Sequence, residues 1–438
     1  MKVLVCWPPQ IPSYFNAGHH LPVFTISAYL RAAGHDTDAI DGGALNLGWK
    51  EFGDQLFRRD YDVVILFNDF DVVEGIRRAA EYARSILPGA TVGTVGRLSY
   101  QNPGFFRGMD LDAVGEGGDY ECFADEVIRW AGAGRPAGQT LRGASVRAGD
   151  RWLGPSGPGA VLDPQSWVLP DPAEIPYDSY DLMYRRDQNK YCGIPQRREL
   201  VVPVARGCPV GCGFCDVPAM QGTRERRIGV PRVIEYIRQN FAERPFEYVA
   251  FYAPTFTLRK PWVYELCDGL RKEPRRYHWK CATTLHHLDQ RLITAMAEAG
   301  CVRISVGVET FEPEASGSLP RIKRSAETRF DDVARWCREA GIELNCFVIV
   351  GLPKTSAAGT KRTLQKIRAS GCRTRPTIYT SYQDMHADMT EQEVSRFNRQ
   401  LQIDALDMSS TEKKELMAII FGDDGYTTPV TERIPAAR

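Results

Sequence analysis

The sequence predicts two α/β domains in series: a doubly wound parallel sheet over residues 1–134 and a partial (β/α)6 barrel over 199–389. A linker with a hairpin covers 135–198, and a short helical C-terminal extension with a tail covers 390–438. Three observations carry this reading. Strand-like and helix-like patterns alternate through both halves, which argues for parallel sheets crossed by helices. A stretch rich in proline and glycine separates the halves. The second half opens with the apolar run Leu200-Val201-Val202-Pro203-Val204-Ala205, followed at once by a loop holding Cys208, Cys212 and Cys215.

In the first half, residues 2–6 read as a strand, and 21–32 carry apolar residues at helical spacing. Strand patterns follow at 36–40, 61–67, 90–95 and 111–114, with helices at 72–87 and about 120–131. On such sheets ligands bind at the carboxyl ends of the strands. In the linker, residues 143–153 alternate around Ala148-Gly149-Asp150 and read as a hairpin. Gly154-Pro155-Ser156-Gly157-Pro158-Gly159 and Leu169-Pro170-Asp171-Pro172 have the composition of a spacer.

In the second half, strand-like runs lie at 200–205, 246–252, 277–283, 302–308, 343–350 and 374–380. Amphipathic helices are expected between them at 230–241, 262–272, 290–299, 331–340 and 357–369. A sixfold series of this kind places chemistry at the carboxyl ends of the strands, the face on which the cysteine loop emerges. Thr390-Glu391-Gln392-Glu393 has the form of a capping box opening a C-terminal helix, and 428–435 read as an extended tail.

Composition narrows the function classes. Lys+Arg 55 against Asp+Glu 55 leaves no net charge, so no general nucleic-acid or anionic-membrane surface is expected. No apolar run approaches the roughly 20 residues of a membrane span. The start Met1-Lys2-Val3-Leu4-Val5-Cys6-Trp7-Pro8-Pro9 runs straight into a strand, without the layout of a signal peptide. Twelve cysteines, mostly single and set in apolar runs, suit a reduced cytoplasm.

The three clustered cysteines have Cys-x3-Cys-x2-Cys spacing on a loop softened by Gly211 and Gly213. A structural zinc site usually takes four protein ligands, and Cys192 is the one other cysteine nearby. A disulfide would leave one thiol over. A [4Fe–4S] cluster held by three thiolates, with its fourth iron open, fits best.

This spacing after a strand, with Phe214 before the last cysteine, resembles the signature of the radical S-adenosylmethionine (SAM) superfamily. The resemblance implies that the open iron chelates the amino and carboxylate groups of SAM. It also implies that one electron, from a donor such as flavodoxin or ferredoxin, yields methionine and a 5′-deoxyadenosyl radical. The first half resembles the Rossmann-like, cobalamin-binding-type domain that precedes the barrel in class B methyltransferase-like members. The shared features are the opening strand with Pro8-Pro9 and the turn Asp112-Ala113-Val114-Gly115-Glu116-Gly117. An Asp-x-His-x-x-Gly motif is absent, which does not exclude cobalamin in this group. Where the family often has a Gly-Gly-Pro-His-like turn, this chain has Val95-Gly96-Arg97-Leu98-Ser99-Tyr100, with bulky side chains where a corrin would approach. Two readings stay open: a cobalamin site with an altered rim, or a sheet that keeps the fold without the ligand.

For SAM, the resemblance singles out several positions. Ala253-Pro254-Thr255 stands where many members have Gly-Gly-Glu, leaving Thr255 or a backbone carbonyl to meet the ammonium. Gly307-Val308-Glu309-Thr310 makes Glu309 the polar contact, with a plain strand-end salt bridge as the bland alternative. Ile349 to Leu352 would pack on adenine, with Gly351 permitting close approach and Phe214 beside the cluster. Arg224, Arg226 and Arg227 would steady the SAM carboxylate or form a solvated turn.

Asp216, Tyr252, His286, His287, Tyr379, Tyr382 and Asp384 follow strand ends and would form a polar mouth for a hydroxylated substrate, or merely line loops. In this family the substrate radical receives a methyl group from methylcobalamin, or reacts alone. For the latter the chain resembles the aminoglycoside (paromamine) 3′-dehydratase type of apramycin biosynthesis. The sequence favours dehydration, with Asp216 or Tyr252 as base and an NAD(P)H-dependent reductase as a partner that completes the reaction. A non-catalytic cobalamin- or metal-binding module is the remaining alternative.

Overall fold

The structure is a computed structural model that describes residues 1–9, 17–186, 198–324, 326–398 and 408–421. Cys192 and the expected tail at 428–435 lie outside the described residues. The chain forms two compact units. The first comprises Met1–Tyr180, Asp216–Thr223 and Ser381–Arg399; the second comprises Asp181–Cys215, Arg224–Thr380 and Gln400–Arg438. No helix among the described residues is long and apolar enough to cross a membrane.

The first unit is built on β1 (Lys2–Trp7), α1 (Ala17–Ala32), β2 (Asp36–Asp41), α2 (Trp49–Arg59), β3 (Val63–Asn68), α3 (Val73–Ile86), β4 (Thr91–Gly96), α4 (Arg97–Gln101), β5 (Ala113–Gly115) and α5 (Tyr120–Gly132). Its sheet has the order β2-β1-β3-β4-β5, all parallel. β3 and β4 are buried at every residue, and β3 accordingly reads as a continuous apolar run rather than an alternating one. A hairpin of β6 (Ala144–Ala148) and β7 (Arg151–Leu153) adds two antiparallel strands beyond β5. The sheet is therefore mixed and seven-stranded. The first part of the expected linker belongs to it, because β6 satisfies the backbone groups that β5 would otherwise expose. The linker goes on to α6 (Tyr177–Arg186).

The second unit carries β8 (Glu199–Pro203) and the short β9 (Ala205–Arg206), both before the cysteine loop. After the loop, α7 (Val217–Gln221) counts with the first unit. The second unit resumes with β10 (Arg226–Arg227), α8 (Val230–Glu243), β11 (Tyr248–Tyr252), α9 (Lys260–Lys272), β12 (His278–Thr284), α10 (Gln290–Glu298) and β13 (Cys301–Glu309). It continues through α11 (Pro313–Ser316), α12 (Ala326–Glu339), β14 (Glu343–Val350), α13 (Ala357–Ala369) and β15 (Arg373–Ile378). Its six main strands run parallel in sequence order, β8-β11-β12-β13-β14-β15, as a sixfold βα series requires.

The expected capping box forms, with Thr390 Oγ1 accepting from the Glu393 amide at 3.3 Å and Glu393 Oε2 from the Thr390 amide at 2.8 Å. The helix it opens, α14 (Glu391–Ser395), is one short turn. A second helix, α15 (Ser410–Phe421), follows and belongs to the second unit.

Gly96, at the end of β4, allows β3 and β4 to close. A Cβ there would lie 1.9 Å from the Asn68 carbonyl oxygen. Gly96→Ala is expected to cost about 1–3 kcal/mol through overpacking. Gly89→Ala, where a Cβ meets nothing within 4 Å, should stay within about 0.5 kcal/mol of the parent. Paired chemical-denaturation curves check this difference.

Candidate active site

The cysteine loop emerges from the carboxyl end of β8, whose Leu200 and Val202 are fully buried. β9 pairs antiparallel with β10, Arg226 opposite Arg206, so the chain doubles back around the loop. Gly207 and Gly211 turn it with φ of 84° and 71°, a region costly for residues with a Cβ. Cys208 is buried, with its sulfur 3.5 Å from Thr255 Oγ1; Cys212 and Cys215 are half-buried.

Thr255 caps the turn after β11, and its carbonyl accepts from Arg227 Nη2 at 3.2 Å. Arg227 is itself buried, paired with Glu225, and lies over the Trp262 ring at 4.6 Å. It therefore supports the backbone at Thr255. Arg224 is exposed on the same turn.

Glu309 sits at a bulge where the β13–β14 register shifts, with a left-handed φ of 63°. Bulges re-aim side chains, and a non-glycine residue in this region costs about 1–3 kcal/mol. The re-aimed carboxylate is buried and accepts from Lys323 Nζ at 2.6 Å. A Cβ on Gly307 would lie 2.2 Å from Glu309 Oε1 and 3.1 Å from Lys323 Nζ, so glycine makes room for the pair. Lys323 Nζ also lies 5.7 Å from the ring centroid of Phe214, which stands between Cys212 and Cys215 in the loop. Burial raises the Cys212 thiol pKa and Lys323 draws it down, for a net rise. Burial would lower the Lys323 pKa, but Glu309 and Cys212 outweigh it and the ammonium is held charged.

Phe214 packs with Leu319, Ile349, Leu352 and Tyr379 in one apolar cluster. Gly351 lies between the last two strands' contributions, with φ of 81°. Four residues picked from the sequence, Phe214, Ile349, Leu352 and Tyr379, thus meet in space; Leu319 was not picked.

His286 and His287 follow β12 in a single turn, Leu285–His287. Both ring nitrogens of His286 and Nδ1 of His287 are buried without a hydrogen-bond partner among the described residues. Burial lowers the pKa of both; Arg329 adds to the effect at His286 and Lys260 at His287. Both imidazoles are therefore neutral near pH 7. Tyr252, at the end of β11, is 45 % exposed.

Asp216, Tyr382 and Asp384, expected on the barrel, belong instead to the first unit. The cause is Arg97, at the end of β4. Its Nε donates to Asp216 at 2.7 Å, Nη1 to Asp69 at 3.1 Å, and Nη2 to the Tyr382 hydroxyl at 3.0 Å. Its guanidinium lies 4.8 Å from the Phe70 ring centroid, and Phe70 stacks on Tyr382 at 5.4 Å. Nearby, Asn102 Nδ2 donates to the His386 carbonyl at 2.7 Å, and Arg77 pairs with Glu391. Asp384 is exposed. The sequence singled out Arg97 as bulky, without its partners.

Three thiolates with no fourth donor among the described residues fit a cluster better than a single ion. Among the described residues no three His, Cys, Asp or Glu side chains converge on one metal position. Zinc draws its sulfurs to about 2.3 Å, whereas a four-iron cube spreads them over separate corners. Cys208, Cys212 and Cys215 would hold the cube, with one iron left for SAM. Thr255, Glu309 and the Phe214–Ile349–Leu352 cluster are the SAM-facing candidates.

A three-thiolate loop thus stands at the head of a six-stranded parallel βα array. Residues 202–367 match the Radical SAM superfamily. The chain is 24% identical over 378 residues to an uncharacterized methyltransferase of Pyrococcus horikoshii, covering 83% of this chain and 77% of that protein. It is 22% identical over 149 residues to cytidylyl-2-hydroxyethylphosphonate methyltransferase of Streptomyces wedmorensis, 34% of this chain and 28% of that one. Its fold is similar to that of the radical SAM methyltransferase TsrM from Kitasatospora setae, solved with cobalamin and a [4Fe–4S] cluster. There the TM-score is 0.66 at 17% identity, covering 86% of this chain and 72% of that one. The cobalamin-dependent SAM radical enzyme OxsB, solved with aqua-cobalamin and SAM, gives 0.66 at 17% identity over 90% of this chain and 54% of that one.

Arg97→Met would remove the guanidinium paired with the wholly buried Asp69 carboxylate. The expected loss is about 3–5 kcal/mol of stability, with Arg97→Lys between it and the parent because the planar fork is gone. Urea denaturation of the three proteins measures it.

Proposed function

We propose that this radical SAM enzyme abstracts a hydrogen atom from a small, hydroxylated substrate held at the strand ends beside His286, His287 and Tyr252. The observation that carries the proposal is the placement, at the strand ends of one parallel sheet, of the three-thiolate loop, the buried Glu309–Lys323 pair, and buried ring nitrogens of His286 and Nδ1 of His287 that lack a hydrogen-bond partner among the described residues. A [4Fe–4S] cluster on the loop supplies the electron that cleaves SAM to methionine and the 5′-deoxyadenosyl radical. The protein's part is to hold and orient. Glu309 offers an acceptor to the SAM ammonium or ribose hydroxyls. The apolar cluster around Phe214 excludes water from the adenine side. His286 and His287, being neutral, can accept a proton or a hydrogen bond from a substrate hydroxyl.

The fate of the substrate radical has two readings. Methyl transfer from a corrin is supported by the similar proteins, three of them methyltransferases by name and two solved with cobalamin. They support it more than they support loss of water. Loss of water is favoured by the turn after β4. A corrin at the carboxyl edge of the first sheet needs a small, open turn there. In this chain Arg97 fills that position, 15 % exposed and held by Asp69, Asp216 and Tyr382. The residues present do not fit a corrin at this turn, and we assign no step to one. In this reading the radical forms beside one hydroxyl and the neighbouring hydroxyl leaves as water. An external electron and proton then complete the product.

Anaerobically reconstituted and reduced protein should convert SAM to 5′-deoxyadenosine, and Cys208→Ala, Cys212→Ala or Cys215→Ala should reduce this to the protein-free background. Product-free assays of the parent would refute the proposal. Protein incubated with hydroxocobalamin and desalted is expected to keep less than a tenth of an equivalent of corrin by its visible spectrum. One equivalent retained would establish a corrin site and decide for methyl transfer.

A further inference from the structure

The Lys323–Glu309 pair is more elaborate than a strand-end salt bridge requires. It needs a bulge in β13, a left-handed φ at Glu309, and a glycine at 307 to leave space. Lys323 comes from the turn Arg321–Lys323, its side chain 12 % exposed, with Nζ 5.7 Å from the Phe214 ring centroid. Phe214 stands between Cys212 and Cys215 in the loop, so this contact sets the ammonium beside the cysteine loop. A fixed cation against the thiolates of a cluster stabilises the more negative, reduced state, and hydrogen bonds to the sulfurs act in the same direction. Glu309, sharing that ammonium, opposes the effect.

We propose that Lys323 is a positioning residue whose ammonium, set beside the cysteine loop at Phe214 and restrained by Glu309, raises the reduction potential of the cluster. The role deepens the radical SAM reading and rests on it. It makes the one-electron reduction that starts the chemistry easier, and the shared carboxylate fixes the ammonium in place.

Redox titrations of the reconstituted, SAM-free proteins, followed by the electron paramagnetic resonance signal of the reduced cluster, test it. Lys323→Met should lower the ratio of reduced to oxidised cluster at a given potential about tenfold, ~59 mV for a one-electron couple. Glu309→Gln should shift it in the opposite direction, and Lys323→Arg should stay near the parent. Opposite signs are the result that a merely structural role would not give, since loosening the loop would move both variants alike. Iron and sulfide content is measured for each protein. Equal potentials, or shifts of the same sign, in variants with full cluster content overturn the role of Lys323. A parent protein that assembles no iron–sulfur cluster overturns the radical SAM reading and this role with it.

Discussion

The count of thiolates on one loop governs everything else in this chain. Three sulfurs on a four-iron cluster would leave one iron in need of a ligand, and in the proposed reading that iron would take SAM. The loop must therefore present its sulfurs on an open face. The carboxyl end of a parallel βα array provides one, because strand ends there feed loops rather than core. The left-handed glycines at 207 and 211 curl the loop, and Thr255 backs the innermost cysteine.

Each unit also contains a buried charge arrangement that would be expensive without a purpose. Lys323 and Glu309 lie against the cluster loop in the second unit. Arg97 with Asp69, Asp216 and Tyr382 lies in the first. Burying ions costs several kcal/mol each unless geometry and hydrogen bonds offset it. In the second unit the cost accompanies strain at Glu309, a combination found where a side chain is aimed at something. In the first unit the charges satisfy one another at the turn after β4.

Much of this was legible in the sequence, for local reasons. A fully buried strand such as β3 announces itself as an apolar run, and the cysteines by their spacing. Phe214, Ile349 and Leu352 were found through short motifs, and the structure brings them together. What stayed hidden depends on distant pairings. Arg97 meets partners 28, 119 and 285 positions away, which no periodicity reveals. For that reason Asp216 and Tyr382 were assigned to the barrel face by chain order alone. Lys323 lies in an irregular turn 14 residues past Glu309, without a motif of its own. The mixed edge of the first sheet was missed because the hairpin was recognised but not its pairing with β5.

The central claim is that the cluster held by Cys208, Cys212 and Cys215 binds SAM through its one unligated iron. Electron–nuclear double resonance on the reduced, reconstituted protein with SAM labelled at its amino nitrogen and carboxylate oxygen tests this directly. The account predicts hyperfine coupling to both labels, lost when SAM is omitted. A reduced cluster that shows no coupling to either label in the presence of saturating SAM would contradict it.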